Sequence, residues 1–223
     1  MRKAFPLLGI VTLALLTYAL YSALVLAPTE QTMGDVQRIF YYHVPSAWTA
    51  FILFTINFVA SVIYLIRRSV KADIVALVSA ELGIVFCTVV LVTGPIWARP
   101  VWGIWWTWDI RLTTTLVLWL IYVAYLMLRR FSSGSQTPLM AAVLAIFGAL
   151  DVPLVYFSIW FFRTQHPSPV IGGGGSLDPR MAHVLLINWL AFSCFAALVF
   201  WSRYQLERVK RDFEETRDLE ALL

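Results

Sequence analysis

Charged side chains are scarce in this chain of 223 residues, at 13%, about half the share of an ordinary soluble domain. A water-facing globular surface is hard to build from so few, so a soluble reading is set aside. Cysteine is equally sparse. Cys87 and Cys194 both fall inside apolar stretches, with no C-x-x-C or metal-ligand spacing, and read as small buried hydrophobes. No G-x-x-x-x-G-K-[ST] phosphate loop is present, so any ATP hydrolysis belongs to another chain. There is no convincing internal repeat, and the one low-complexity run, G-G-G-G at 172–175, reads as a plain linker in preference to a lid. The net charge of +4 lies in short clusters between apolar runs, which argues against a nucleic-acid partner and for a role in membrane orientation.

What the chain has in abundance is apolar length. Hydrophobic residues make up 60% of it and the mean hydropathy is +0.76. Uninterrupted runs near 5–27, 46–66, 73–97, 112–128, 138–162 and 182–202 are each long enough to cross a bilayer. We therefore expect an all-α, polytopic integral membrane protein with six transmembrane helices in a single domain, 1–202. The first run follows Arg2 and Lys3 but is too long for a signal-peptide core, and reads as a retained anchor. Twelve of the 17 basic residues, from Arg2 and Lys3 through Arg67, Arg68, Lys71, Arg129 and Arg130 to the group at 203–217, fall on one side of this arrangement. The positive-inside rule then puts both termini in the cytoplasm and the loops 28–45, 98–111 and 163–181 outside. The remaining stretch, 203–223, has Leu206, Val209 and Phe213 at helical spacing among charges and reads as a cytoplasmic amphipathic tail.

The outer loops carry the unusual chemistry. Trp97, Trp102, Trp105, Trp106 and Trp108, half of the ten tryptophans, crowd into one of them. Indoles favour membrane interfaces and can serve simply as an anchoring belt. A belt spreads over many helix ends, however, whereas indoles gathered in one loop can form a flat apolar platform with N–H donors at its rim. A planar macrocycle such as haem suits that platform, with Arg99 or Arg111 available to its propionates. All three histidines also lie in or beside the outer loops. His43 precedes the second span and His166 follows the fifth, at nearly the same depth, where two neutral imidazoles could ligate one iron axially. His183, at the start of the sixth span, is a rival second ligand on this reading.

The segment G-P-I-W-A-R-P-V-W-G-I-W-W-T-W-D-I-R-L-T resembles the tryptophan-rich WWD signature of the haem-handling proteins of cytochrome c biogenesis. Within that superfamily the short CcmC type fits best. The likeness extends over most of the chain: R-I-F-Y-Y-H-V-P-S-A-W is similar to the family's first histidine segment and V-P-L-V-Y-F-S-I-W-F-F-R-T-Q-H to its second. This chain reads T-Q-H-P where family members commonly read T-L-H-Q. The resemblance implies that His43 and His166 are the axial ligands of haem b and that His183 is a helix-end residue. It places Trp102, Trp105, Trp106, Trp108, Asp109 and Arg111 on the WWD signature at 97–113, as haem platform and chaperone-docking surface, and Arg38 on a basic position near the first histidine. Arg38, Arg99 and Arg111 are then candidate propionate contacts. It further implies a bacterial inner membrane location with the haem site facing the periplasm, and delivery of haem to the periplasmic chaperone CcmE by a lyase-like scaffold. The partners implied are CcmE, the ABC transporter subunits CcmA and CcmB, and the small subunit CcmD.

Two other classes compete with this one. A membrane cytochrome would keep its haem and move electrons, but usually buries its ligands within the bundle. A proton-coupled transporter would use the intramembrane carboxylates Glu81 and Asp151, and would leave the tryptophan loop without a role. Asp151 also precedes Val152 and Pro153, where a missing backbone donor is expected to bend the fifth span.

Overall fold

The computed structural model describes residues 4–132, 134–169 and 177–220. The glycine run at 172–175, Arg2, Lys3 and the last three residues of the tail lie outside the described residues. The described chain folds into helices and no strand: α1 (Ala4–Tyr21, extended by a π turn at Ser22–Leu26), α2 (Phe40–Arg67, preceded by a 3-10 turn at Asp35–Ile39), α3 (Val70–Trp102), α4 (Ile110–Phe131), α5 (Thr137–Ala149), α6 (Asp151–Phe161) and α7 (Pro179–Glu220).

Six apolar spans result, Phe5–Leu26, Asp35–Arg67, Val70–Trp102, Ile110–Phe131, Thr137–Phe161 and Pro179–Arg217, matching in number and order the six expected from hydropathy. The fifth is two helices in series. Pro153 cannot donate to the carbonyl four residues back, at Ala149, and α5 ends there, which is the bend expected from the sequence. Residues such as Leu13, Ile66 and Phe147 are 66%, 75% and 62% exposed. In water they would form large apolar patches, but on a spanning bundle they meet lipid chains.

The centre of the bundle is the α2–α3 hairpin, closed by Arg68 in the left-handed region (φ 51°) and by Ser69, whose side chain caps α3. Phe54 of α2 is fully buried and stacks on Tyr122 of α4 at 4.0 Å between ring centres. Gly83 of α3 makes room for it. A Cβ at 83 would come within 2.5 Å of Phe54 Cε1, and the stacked ring has nowhere to go. Gly83→Ala is therefore expected to destabilise the bundle by about 1–3 kcal/mol. The thermal midpoint of the detergent-solubilised protein checks this, and an unchanged midpoint would mean that α2 and α3 yield freely here. Beside this stack, Asn57 donates to the Ala76 carbonyl at 2.7 Å and accepts from the Tyr122 hydroxyl at 3.3 Å.

The sixth span and the tail form one continuous helix. At about 1.5 Å per residue, the 42 residues of α7 reach roughly twice the thickness of the hydrocarbon core. Its far half returns to the bundle through charge. Arg203, Glu207 and Arg211, spaced i, i+4, i+8, share one face. Arg203 pairs with Glu81 of α3 at 2.9 Å, and Glu207 links Arg203 and Arg211 at 3.3 and 3.2 Å. Arg211 meets Asp73 of α3 at 2.7 Å, and Asp73 also pairs with Arg129 of α4. Glu81 is thus part of an ion-pair lattice at the basic end of the bundle. Asp151, half-buried at the start of α6, leaves its Oδ2 without a partner among the described residues. Leu206, Val209 and Phe213 point away from the lattice and are exposed.

Candidate haem site

At the opposite end of the bundle, the segments around residue 43 of α2, the end of α3, the start of α4 and the loop after α6 enclose a cavity of about 680 Å³. That is a normal size for a small-molecule or cofactor site. His43 and His166 both line it, with ring centres 6.4 Å apart and ring planes 32° from parallel. A metal–imidazole bond is about 2 Å long, so two imidazoles ligating one ion from opposite sides hold their centres roughly 6 Å apart.

Each ring is tethered through Nδ1. His43 Nδ1 lies 2.8 Å from Thr93 Oγ1, and His166 Nδ1 lies 2.9 Å from the carbonyl of Pro167. A carbonyl can only accept, so His166 carries its proton on Nδ1 and offers Nε2 as a lone pair. Loss of water around the ring lowers the His166 pKa to about 4, and the Arg111 charge acts in the same direction. The imidazole is therefore neutral, as a ligand must be, at any pH well above that value.

The tryptophan loop builds the walls, and its backbone explains how. Helix α3 ends at Trp102 because Gly103 takes the left-handed conformation (φ 79°), with its N–H returning to the Arg99 carbonyl. Helix α4 starts at Asp109, whose carboxylate accepts from the Leu112 N–H at 3.1 Å and from the Thr107 hydroxyl at 3.0 Å, an N-cap. Trp97, Trp102 and Trp106 line the cavity, while Trp105 and Trp108 are 59% and 76% exposed. Trp97 and Trp102 meet edge to face at 5.2 Å, and Trp106 and Trp108 at 5.9 Å.

Of the three arginines expected near propionates, Arg111 lines the cavity. Arg38 and Arg99 are not in its wall. Arg38 donates to Asp35, to the Ala23 carbonyl and to Thr29, stapling the loop between α1 and α2; Arg99 donates to the Gly103 carbonyl. His183 is exposed in the first turns of α7, outside the cavity wall. Residues that sequence reasoning did not single out also contribute: Thr93, Gly94, Gln37 and Tyr156 line or touch the site. Only the T-G-P run at 93–95, small and helix-breaking inside a span, offered a signal for the first two.

Two buried donors at the cavity wall, Trp106 Nε1 and Arg111 Nη1, have no acceptor among the described residues. A guanidinium in the first turn of α4 also sits at the positive end of the helix dipole, where cations are disfavoured. A guanidinium with one buried donor unpaired, an indole donor in the same state, apolar ring walls and two convergent imidazoles fit haem, a flat apolar guest with a coordinating centre and an anionic edge. These features describe a polytopic membrane protein with an aromatic-walled cavity onto which two imidazoles converge.

The chain matches the heme exporter protein C family (CcmC) over residues 1–218. It is 33% identical to heme exporter protein C of Bradyrhizobium diazoefficiens over 222 residues, covering 98% of this chain and 84% of the relative. Over 216 residues it is 32% identical to heme exporter protein C of Haemophilus influenzae (94% and 87% covered), and over 188 residues 32% identical to that of Escherichia coli (84% and 76%). The chain belongs to the CcmC family.

Proposed function

We propose that this protein holds haem b at the outer face of a bacterial inner membrane, with His43 and His166 as axial ligands, and passes it to the periplasmic chaperone CcmE during cytochrome c maturation. The observation that carries this reading is the meeting of His43 and His166 across the cavity, 6.4 Å apart. Membership in the heme exporter protein C family supports it.

Haem is here cargo, and its iron supplies the two axial positions that the imidazoles fill. The chain's own work is binding and orientation. Trp97, Trp102 and Trp106 hold a flat guest in register, and Arg111 fixes which edge faces the bundle. Trp105 and Trp108, exposed at the tip of the same loop, offer an apolar surface to the chaperone, presented by the Asp109 cap. The basic end of the bundle faces the cytoplasm, where CcmA and CcmB with CcmD would assemble.

Titrating ferric haem into the purified, detergent-solubilised protein tests the reading. A six-coordinate, low-spin spectrum saturating at one haem per chain is expected, unchanged by His183→Ala, with transfer to added CcmE. No haem-dependent spectrum in the wild type would return the indoles to membrane anchoring.

Arg111 yields a prediction of two opposite signs. Arg111→Leu removes a cation whose buried Nη1 has no acceptor among the described residues, so the haem-free protein is expected to unfold at the same or a higher temperature. Haem affinity is expected to fall about 10- to 100-fold, the value of a hydrogen bond to a charged group of about 1.5–3 kcal/mol. Parallel loss of both stability and affinity would assign Arg111 a structural role instead.

A further inference from the structure

An imidazole can ligate a metal only through a nitrogen that carries no proton, so a histidine ligand needs its tautomer set in advance. We infer that Thr93 and Gly94 of α3 seat the His43 ring and fix its proton on Nδ1, leaving Nε2 open to the cavity. The inference deepens the haem-ligand reading and rests on it for its consequence in binding.

A single hydrogen atom decides the tautomer. Thr93 Oγ1 lies 2.6 Å from the Val89 carbonyl one helical turn back. A carbonyl only accepts, so the single hydroxyl hydrogen is committed there. Towards His43 Nδ1, at 2.8 Å, Thr93 then presents only lone pairs. The ring nitrogen must be the donor, and the proton is on Nδ1.

The same relay occurs nearby with no ambiguity. Thr88 Oγ1 donates to the Ile84 carbonyl at 2.8 Å and receives Trp119 Nε1–H at 2.8 Å. An indole nitrogen can only donate, so a back-bonded threonine on α3 demonstrably accepts from a neighbouring ring. Thr93 repeats the arrangement with an imidazole in place of the indole.

Gly94 sets the distance. A Cβ there would stand 3.4 Å from His43 Cε1, the carbon between the two ring nitrogens. That is ordinary contact for a Cβ alone, but the γ-carbons of a branched side chain at 94 would crowd the ring. His166 reaches the same protonation by a different device, the Pro167 carbonyl. Both rings then offer Nε2.

The first test uses the haem-free protein with 15N-labelled histidine. Three histidines are present in the chain, so His43→Ala, His166→Ala and His183→Ala assign the three ring signals. The wild-type His43 ring is expected as a single Nδ1–H tautomer, kept in Thr93→Ser and replaced by a mixture in Thr93→Val and Gly94→Val. Haem titration of the same variants is expected to show affinity about 10- to 100-fold weaker for Thr93→Val, the usual cost of losing an outer-shell partner of a metal ligand, with Thr93→Ser close to wild type. Nε2–H on wild-type His43, or a Thr93→Val protein like wild type in both tautomer and affinity, would overturn the inference. A wild-type Nδ1–H tautomer together with an absence of six-coordinate haem would sink the ligand reading alone and leave the assignment of the proton standing.

Discussion

His43→Ala and His166→Ala are each expected to convert bound ferric haem from six-coordinate low-spin to five-coordinate high-spin, and to weaken binding by at least about 100-fold. The lower bound follows from the outer-shell effect: removing a partner of a ligand already costs about 10- to 100-fold, and removing the ligand itself must cost more. The rings face each other at 6.4 Å, from α2 and from the loop after α6, so neither replacement lets the other ring fill both positions. The double variant is expected to keep at most the contribution of the indole walls and Arg111, with no ligation signature. Visible absorption and electron paramagnetic resonance of the three variants check this. If either single variant remains low-spin, its histidine is not a ligand, and the exposed His183 or another group must be.

Asp73→Asn is expected to destabilise the bundle by about 3–5 kcal/mol. Asp73 is 1% exposed and accepts from both Arg129 and Arg211. The Arg129 side chain is only 10% exposed. Neutralising the acid leaves that guanidinium with the Tyr125 ring, 4.9 Å away, and the charge of Glu81 in place of a direct ion pair. Arg211 suffers less because Glu207 still holds it at 3.2 Å. Asp73→Leu combined with Arg129→Leu should therefore recover much of the loss, since a buried pair replaced as a whole costs little. A thiol-reactive dye offers the readout. Cys87 is buried and Cys194 partly so, and both are free, so unfolding exposes them. Equal thermal midpoints for wild type and Asp73→Asn would show that the lattice at the basic end contributes nothing to stability.

The spans were legible because hydropathy is additive along a helix. Twenty apolar residues in a row announce a crossing whatever they pack against, and even the break in the fifth span followed from Pro153. The pairing of His43 with His166 was half legible. His43 lies near the start of the second span and His166 just past the end of the fifth, so a common depth could be read, and the tryptophan loop lies at that depth too. Their mutual distance could not be read, because it depends on how α2 and α6 are rotated about their axes.

Contacts between distant segments and irregular turns decide what was missed. Whether Trp106 faces inward and Trp105 outward depends on an irregular turn set by Gly103 and the Asp109 cap. Arg38 read in the sequence as a candidate propionate contact, and the fold spends its donors on its own loop. Glu81 looked like an intramembrane acid awaiting a task, and α7 brings Arg203 to it from the far end of the chain. Thr93 is an unremarkable residue until α2 lays an imidazole against it.

By itself the sequence determined that the chain crosses a membrane six times, and that its histidines and half of its tryptophans gather at one end of the bundle with most of its basic residues at the other. Those properties are sums over neighbouring residues, and neighbours are given by the chain. Only the tertiary structure decided which indoles wall the cavity, which of the three outer arginines lines it, and which ring nitrogen of His43 meets Thr93. Those depend on a few degrees of helix rotation and on single hydrogen bonds between distant segments, which close packing of the helices sets and no local pattern records.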